Sequence, residues 1–452
     1  MQRAIGLRGA VAINIITMIG IGPLITIPLV LSALGGPLAL TAWIAGALLA
    51  LCDGLVWAEL ASRLPGSGGT YVYLRAAFGE HRLGRALAFL FNWQCLLFYP
   101  CILATGYIGV VNYSAYVAPV FTGNAVARDA LAVGIGLITI VLLYRKTSEV
   151  AALGKALGVA AAATLVIVTL AAFSHGHAAH AFVLDKPLRF GTAFLAGFST
   201  GLYIAMYDYA GYSTVALVGD EVESPNRTIP LSILLSVLIV ATLYVLLQVG
   251  VLGAVPWRSL LDAHGNPTPQ AQYVGSTIVE TAWGHPAAFA VTILVLVTAL
   301  ASLYGNLLGA SRIPYAAARD GAFIPAFGKL HPTGDFPFVS LLAIGGLSLV
   351  ASFFTLDLVI AVLTAGIVLI QGIAQIVALA VLRRTSKPSP FRMPLYPLPA
   401  LVALAGWILA FAFTGTTAIV FGVGWLAVGI VVFLIVAKLE RWWPFSGSVS
   451  PQ

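Results

Sequence analysis

The chain has 452 residues, 60% of them hydrophobic and only 9% charged, with a formal net charge of +7. Soluble domains carry roughly 25% charged residues, so water could not solvate a folded surface of this composition, and a soluble enzyme or binding module is excluded. The positive charge needs no nucleic acid, because no Lys/Arg stripe with interleaved aromatics runs along the chain, and basic residues beside apolar segments are the ordinary signal of membrane topology.

Taken in chain order, the apolar segments read as helices that span a lipid bilayer. No Asp, Glu, Lys or Arg occurs between Gly9 and Cys52, or between Ala86 and Ala127, and each run exceeds the ~20 residues that cross a membrane. The first segment lacks the cleavage pattern of a signal peptide and reads as a retained helix. Breaks at Gly/Pro clusters and charged knots predict about twelve spans, near 9–34, 38–62, 84–117, 128–144, 149–173, 190–217, 229–254, 286–317, 337–354, 357–382, 396–419 and 421–440. With an inner N-terminus, nineteen of the 23 Lys and Arg fall on inner segments, and only Arg128, Lys186, Arg189 and Arg258 fall on outer ones. The positive-inside rule then puts both termini in the cytoplasm of a plasma or inner membrane. Cys52, Cys95 and Cys101 lie in apolar stretches without a CxxC spacing and read as small buried hydrophobes.

Two spans are interrupted. The first contains Met18-Ile19-Gly20-Ile21-Gly22-Pro23, where two glycines and a proline weaken the helix and free backbone groups, which hydrocarbon tolerates only around a protected cavity. Pro23 suits the first position of a restarted half-helix, whose amides and positive dipole end would face a carboxylate. The alternative is a packing motif in which Gly20 and Gly22 let helices approach. The sixth span repeats the pattern with Tyr207-Asp208-Tyr209-Ala210-Gly211-Tyr212. Interruptions five helices apart are the spacing of an inverted repeat with its substrate near the midplane. The chain therefore reads as one all-α transmembrane domain over residues 1–452, with repeats near 9–173 and 190–382 and added helices near 396–440.

Four motifs carry a family resemblance. Ile19-Gly20-Ile21-Gly22 resembles the glycine motif of the first helix in the amino acid–polyamine–organocation transporter superfamily. The stretch from Glu59 through Arg63-Leu64-Pro65-Gly66-Ser67-Gly68-Gly69 to Tyr73 is similar to that family's segment after helix two. Gly219-Asp220-Glu221-Val222-Glu223-Ser224-Pro225-Asn226-Arg227 resembles its segment before helix seven, and Arg319-Asp320-Gly321-Ala322-Phe323-Ile324-Pro325 the one after helix eight. Tyr144-Arg145 and the Gly-Asp-Glu-Val run look most like the branch of polyamine uptake transporters. The resemblance implies a leucine-transporter-like 5+5 fold with broken helices one and six, alternating access, and proton-coupled uptake or exchange. Two positions depart from the family pattern. Ile21 stands where a serine is common, which leaves carboxylate recognition to backbone amides. Gly158 stands where some proton-coupled members carry a lysine, with Lys155 about one turn nearer the cytoplasm.

The candidate substrate-binding residues are Ile19, Gly20, Ile21, Gly22, Tyr99, Tyr207, Asp208, Gly211 and Tyr212. A carboxylate at membrane depth costs several kcal/mol unless protonated, paired or hydrated, so Asp208 is read either as a partner for a substrate ammonium or as a protonated acid bonded to freed backbone. Tyr207 and Tyr212 could gate the solute or hold its cation over a ring, or simply pack; Tyr99, beside Pro100 in helix three, could reach the cavity or simply pack. Asp53, Lys155 and Asp208 are the coupling candidates. Asp53 could join a proton path or pair with a polar group of helix one or seven, and Glu59 and the acids 220, 221 and 223 could form gate ion pairs or solvated ends. His175, His177 and His180 lack a defined fourth ligand and read as a wet outer loop rather than a zinc site, and no Gly-Lys-Ser/Thr follows Pro65-Gly66-Ser67-Gly68-Gly69 to make a phosphate loop. No metal, nucleotide or other cofactor is expected. Sodium would need oxygens from helices one and eight, where Ser302 is a thin signal, so a proton gradient is the expected drive. The expected function is a secondary permease for an amine-bearing solute, an amino acid or a polyamine, working as a monomer or weak homo-oligomer. An exchanger and a non-transporting solute sensor are the alternatives, and no sequence motif supports an enzyme.

Overall fold

Long apolar runs leave the backbone no partner but itself, and the chain accordingly folds as helices. The computed structural model describes residues 5–65, 68–144, 151–184, 190–332, 334, 336–385 and 388–445, and for 151–159 and 220 the backbone alone. Lys155 and Gly158 thus have no described side-chain environment, Arg145, Gly66 and Ser67 lie outside the described residues, and so does the side chain of Asp220.

The helices in chain order are α1 (Leu7–Met18), α2 (Gly22–Leu34), α3 (Ala39–Arg63), α4 (Thr70–Phe78), α5 (Leu83–Val117), α6 (Val120–Gly123), α7 (Ala125–Leu143), α8 (Ala151–His175) and α9 (Thr192–Tyr209). They continue with α10 (Pro225–Ala254), α11 (Val274–Trp283), α12 (His285–Arg319), α13 (Phe338–Ala351), α14 (Leu356–Ile367), α15 (Gln375–Thr385), α16 (Leu398–Ala412) and α17 (Thr416–Leu439). Among the described residues seven helical stretches are long and apolar enough to cross a membrane, and α1 with α2, bent by 52°, makes an eighth; the described part of α8, α13 and α16 are apolar but shorter. No strand forms among the described residues, only two isolated bridges.

The structure differs from the sequence reading in three places. The expected span 190–217 stops as a helix at Tyr209, because Gly211 takes φ +112° and the chain turns into a short 3₁₀ segment, Thr214–Leu217. The expected span 357–382 carries a π-helical stretch, Val368–Ala374, between α14 and α15. The amphipathic α4 and α11 lie in segments expected to be loops.

Small residues bring the spans together. A β-carbon on Gly46 of α3 would stand 2.9 Å from Ala205 of α9. Helix ends are tied by polar contacts. Glu59 is wholly buried and receives Arg383, Arg63 and, at 2.8 Å, the amide of Met393. This acid is an internal brace between α3, α15 and the segment before α16. Ile5 pairs with the backbone of Glu221 and Glu223 at 3.0 Å, joining the start of α1 to the segment after the α9 break.

Candidate functional site

Two helices break off beside each other inside the bundle, and the site forms where they stop. Helix α1 ends at Met18; Ile19 is extended and α2 restarts at Gly22, followed by Pro23. Among the described residues the amides of Gly20 and Ile21 have no hydrogen-bond partner, and the first turn of α2 adds the unpaired donors of any helix start. Helix α9 ends one residue after Asp208. The two breaks touch: a β-carbon on Gly211 would lie 2.9 Å from the carbonyl carbon of Thr17 and 3.0 Å from the amide nitrogen of Met18. Both the positive φ and the backbone contact require glycine there.

Two helix C-termini therefore converge, and their negative dipole ends need donors. Tyr244 of α10 supplies one. Its hydroxyl donates to the Met18 carbonyl at 2.8 Å and lies 3.3 Å from the Asp208 carbonyl, while its ring packs between Trp43 and Tyr209 at 5.7 and 5.4 Å. Asn14 holds the turn beyond the α9 break, its Oδ1 accepting from the Val215 amide at 2.9 Å.

The Asp208 side chain, 3% exposed, reaches across to α2. Its Oδ2 accepts from the Thr26 hydroxyl at 2.5 Å. Its Oδ1 has no hydrogen-bond partner among the described residues and lies 2.4 Å from where a β-carbon on Gly22 would stand. A free carboxyl oxygen thus sits beside the opened N-terminal turn of α2. Tyr207 projects from the neighbouring position and exchanges a hydrogen bond of 2.6 Å with Thr105 of α5.

These groups line a cavity of about 170 Å³, whose wall includes Gly20, Ile21, Gly22, Tyr99, Tyr207, Asp208 and Gly211. A larger hollow of about 820 Å³ shares Tyr99, Ser302 and Asn306 with it, adds Ile19, and continues to Arg312, Tyr315 and Asp320 at the end of α12. Toward the other face, Ile21 and Ile25 pack on Gly109. Beyond that layer lies a separate hollow of about 350 Å³ with Ile25, Arg128 and Asp129 in its wall.

Two predicted residues lie elsewhere. Tyr212 is buried away from the cavity and donates to Asp53 Oδ2 at 2.6 Å; Asp53 Oδ1 accepts from Trp407 Nε1 of α16 at 3.0 Å. Among the described residues these two hydrogen bonds of Asp53 go to the turn after the α9 break and to α16, rather than to α1 or α10. Where α2, α8 and α12 meet, the hydroxyls of Thr164 and Thr298 lie 3.3 Å apart among apolar neighbours. Thr26, Thr105, Tyr244 and Asn14 escaped the sequence reading, since one hydroxyl or amide on an otherwise apolar span has no local signature. Among the described residues no three His, Cys, Asp or Glu gather as metal ligands.

The comparisons agree with this architecture. A family model for amino acid permeases matches residues 5–444. Over 362 residues the chain is 32% identical to the vacuolar cationic amino acid transporter 4 of Arabidopsis thaliana, a match covering 76% of this chain and 57% of the plant protein. It is 30% identical over 432 residues to an uncharacterized transporter of Mycobacterium tuberculosis, covering 95% of this chain and 91% of the relative. It is 23% identical over 424 residues to the serine/threonine exchanger SteT of Bacillus subtilis, covering 90% of each. These relatives are transporters rather than enzymes, and with an interrupted-helix cavity inside a bundle of apolar helices, the chain belongs to the amino acid permease family.

Proposed function

We propose that the chain is a proton-coupled secondary permease that carries α-amino acids across a cell membrane by alternating access. The observation that carries this reading is the free Oδ1 of Asp208 beside the opened first turn of α2. An α-amino acid presents an ammonium and a carboxylate on one carbon. Its ammonium fits Asp208 and the negative ends of α1 and α9, while its carboxylate fits the amides at Gly20, Ile21 and the start of α2. The breaks fall in the first and sixth of about twelve spans, as expected of a 5+5 inverted repeat with two added helices. In this reading the described conformation faces inward, with Tyr207, Thr105 and the Ile21–Ile25 layer closing the outer path and both termini cytoplasmic.

Proton coupling is supported by two acids at membrane depth, Asp53 and Asp208, each bonded to groups of another helix. A hard cation needs several oxygen ligands, and the two threonine hydroxyls at the junction of α2, α8 and α12 are a sparse set. The substrates named for the relatives include cationic and small hydroxyl amino acids, so kinship alone leaves the side chain open. Exchange is the second reading, favoured by the exchanger relative. Proteoliposome uptake tests both. An inward proton gradient should drive accumulation of an amino acid, with sodium replacement changing little. Strict sodium dependence would refute proton coupling, and uptake that requires a preloaded amino acid would favour exchange.

A further inference from the structure

Asp208 is the only charged side chain among the described residues lining the 170 Å³ cavity, and its position decides which ammonium it can serve. Its free Oδ1 lies 2.4 Å from the β-carbon position of Gly22, in the first turn of α2. The proposed function puts the substrate carboxylate at that turn. An α-ammonium lies within about 3 Å of its own carboxylate, whereas the ε-ammonium of lysine extends about 6 Å from the α-carbon. Only the α-ammonium can therefore share α2 with the carboxylate and still meet Asp208.

Most of the rest of the wall is apolar, and its described polar groups are uncharged. Tyr99, Ile102, Leu103 and Ile367 present hydrocarbon and ring surface. The Asn306 amide donates to the Ser302 carbonyl at 2.9 Å and to its hydroxyl at 3.2 Å, and the Tyr207 hydroxyl is bonded to Thr105. Gln371, in the π-helical stretch, is a neutral amide on the same wall. A second cation held against this wall would have no carboxylate among the described lining residues, since Asp320 belongs to the adjoining hollow and already accepts from the Tyr71 hydroxyl at 2.8 Å, and a buried unpaired charge is strongly disfavoured. A polyamine would meet the same obstacle and also leave the α2 amides unused.

We infer that the permease selects neutral α-amino acids, with Asp208 reserved for the α-ammonium and the side chain lying against the wall of Tyr99, Ile102, Ile367 and Gln371. This rests on the head-group placement proposed above, and the experiment separates the two. Binding to the purified full chain is measured for L-alanine, L-serine and L-leucine. Competitors are L-lysine, cadaverine, isoamylamine (leucine without its carboxylate) and 4-methylpentanoate (leucine without its ammonium). The best neutral amino acid should bind at least about a hundredfold more tightly than lysine or cadaverine, and both truncated leucines should bind at least about tenfold more weakly than leucine. Gln371→Glu should shift the lysine-to-leucine affinity ratio at least about tenfold toward lysine.

Lysine within tenfold of the best neutral amino acid, with both truncated leucines still weak, overturns the selectivity and leaves the head-group placement standing. Isoamylamine binding as tightly as leucine overturns the head-group placement, and the inference with it. Binding of none of these probes overturns both. An unchanged ratio in a folded Gln371→Glu protein overturns the placement of the side chain.

Discussion

Replacing Gly22 by alanine and, separately, Gly20 by alanine should give very different transporters, although both residues sit in one short break. A methyl group at position 22 would stand 2.4 Å from Asp208 Oδ1, where an ordinary carbon–oxygen contact is about 3.3 Å or more. The carboxyl group must retreat by about 1 Å, which breaks the 2.5 Å bond from Thr26 and moves the oxygen proposed to meet the substrate ammonium. A hydrogen bond to a charged group contributes about 1.5–3 kcal/mol, so binding should weaken about 10- to 100-fold. At position 20 the methyl group would meet Ser302 Oγ at 3.2 Å, the end of a side chain that can rotate, and the effect should stay within about threefold. Binding is read by calorimetry on both purified variants, with thermal melts to confirm that they fold. Equal damage from the two substitutions, or wild-type binding by Gly22→Ala, would refute the placement of Asp208 against the first turn of α2.

Other consequences follow from the same contacts. Asp208→Asn keeps the volume and the Thr26 bond but removes the charge. Breaking a buried pair costs roughly 3–5 kcal/mol, so amino acid affinity should fall by about two to three and a half orders of magnitude, and affinity within threefold of the parent would make Asp208 structural. Tyr244→Phe keeps the ring between Trp43 and Tyr209 but leaves the Met18 and Asp208 carbonyls without their donor; the break should loosen and KM rise about tenfold, whereas a lower melting temperature with unchanged KM would make Tyr244 a packing residue only. Glu59→Gln weakens a buried brace between Arg63 and Arg383 and should destabilise the fold by about 3–5 kcal/mol. In that variant a melting temperature within about 1 °C of the parent would contradict the brace.

The helices and both breaks were legible in the sequence because they are local. Charge-free runs over residues 9–52 and 86–127 mark spans by length alone, and Gly20, Gly22, Pro23 and Gly211 mark broken helices by what their backbones permit. The partners across the bundle were not legible. Thr26 meets Asp208, Tyr244 reaches Met18, and Asp53 holds Tyr212 and Trp407, pairs separated by more than 150 residues. Periodicity on an apolar span says which residues face inward only when the other face is polar, and lipid removes that contrast. The same loss hid the π-helical stretch that carries Gln371. The amphipathic α4 and α11 were missed because both are shorter than a span and lie between Gly- and Pro-rich turns.

The central claim, that an α-amino acid binds between the broken helices through Asp208 and is carried across the membrane, is tested most directly by uptake into proteoliposomes. Radiolabelled leucine, alanine and serine are offered to liposomes holding the full chain or its Asp208→Asn variant, with an inward proton gradient imposed. The account predicts saturable accumulation of at least one of the three by the parent protein, collapsed by a protonophore and reduced at least about a hundredfold in catalytic efficiency by the substitution. Accumulation no greater than in protein-free liposomes, or equal uptake by the two proteins, would contradict it.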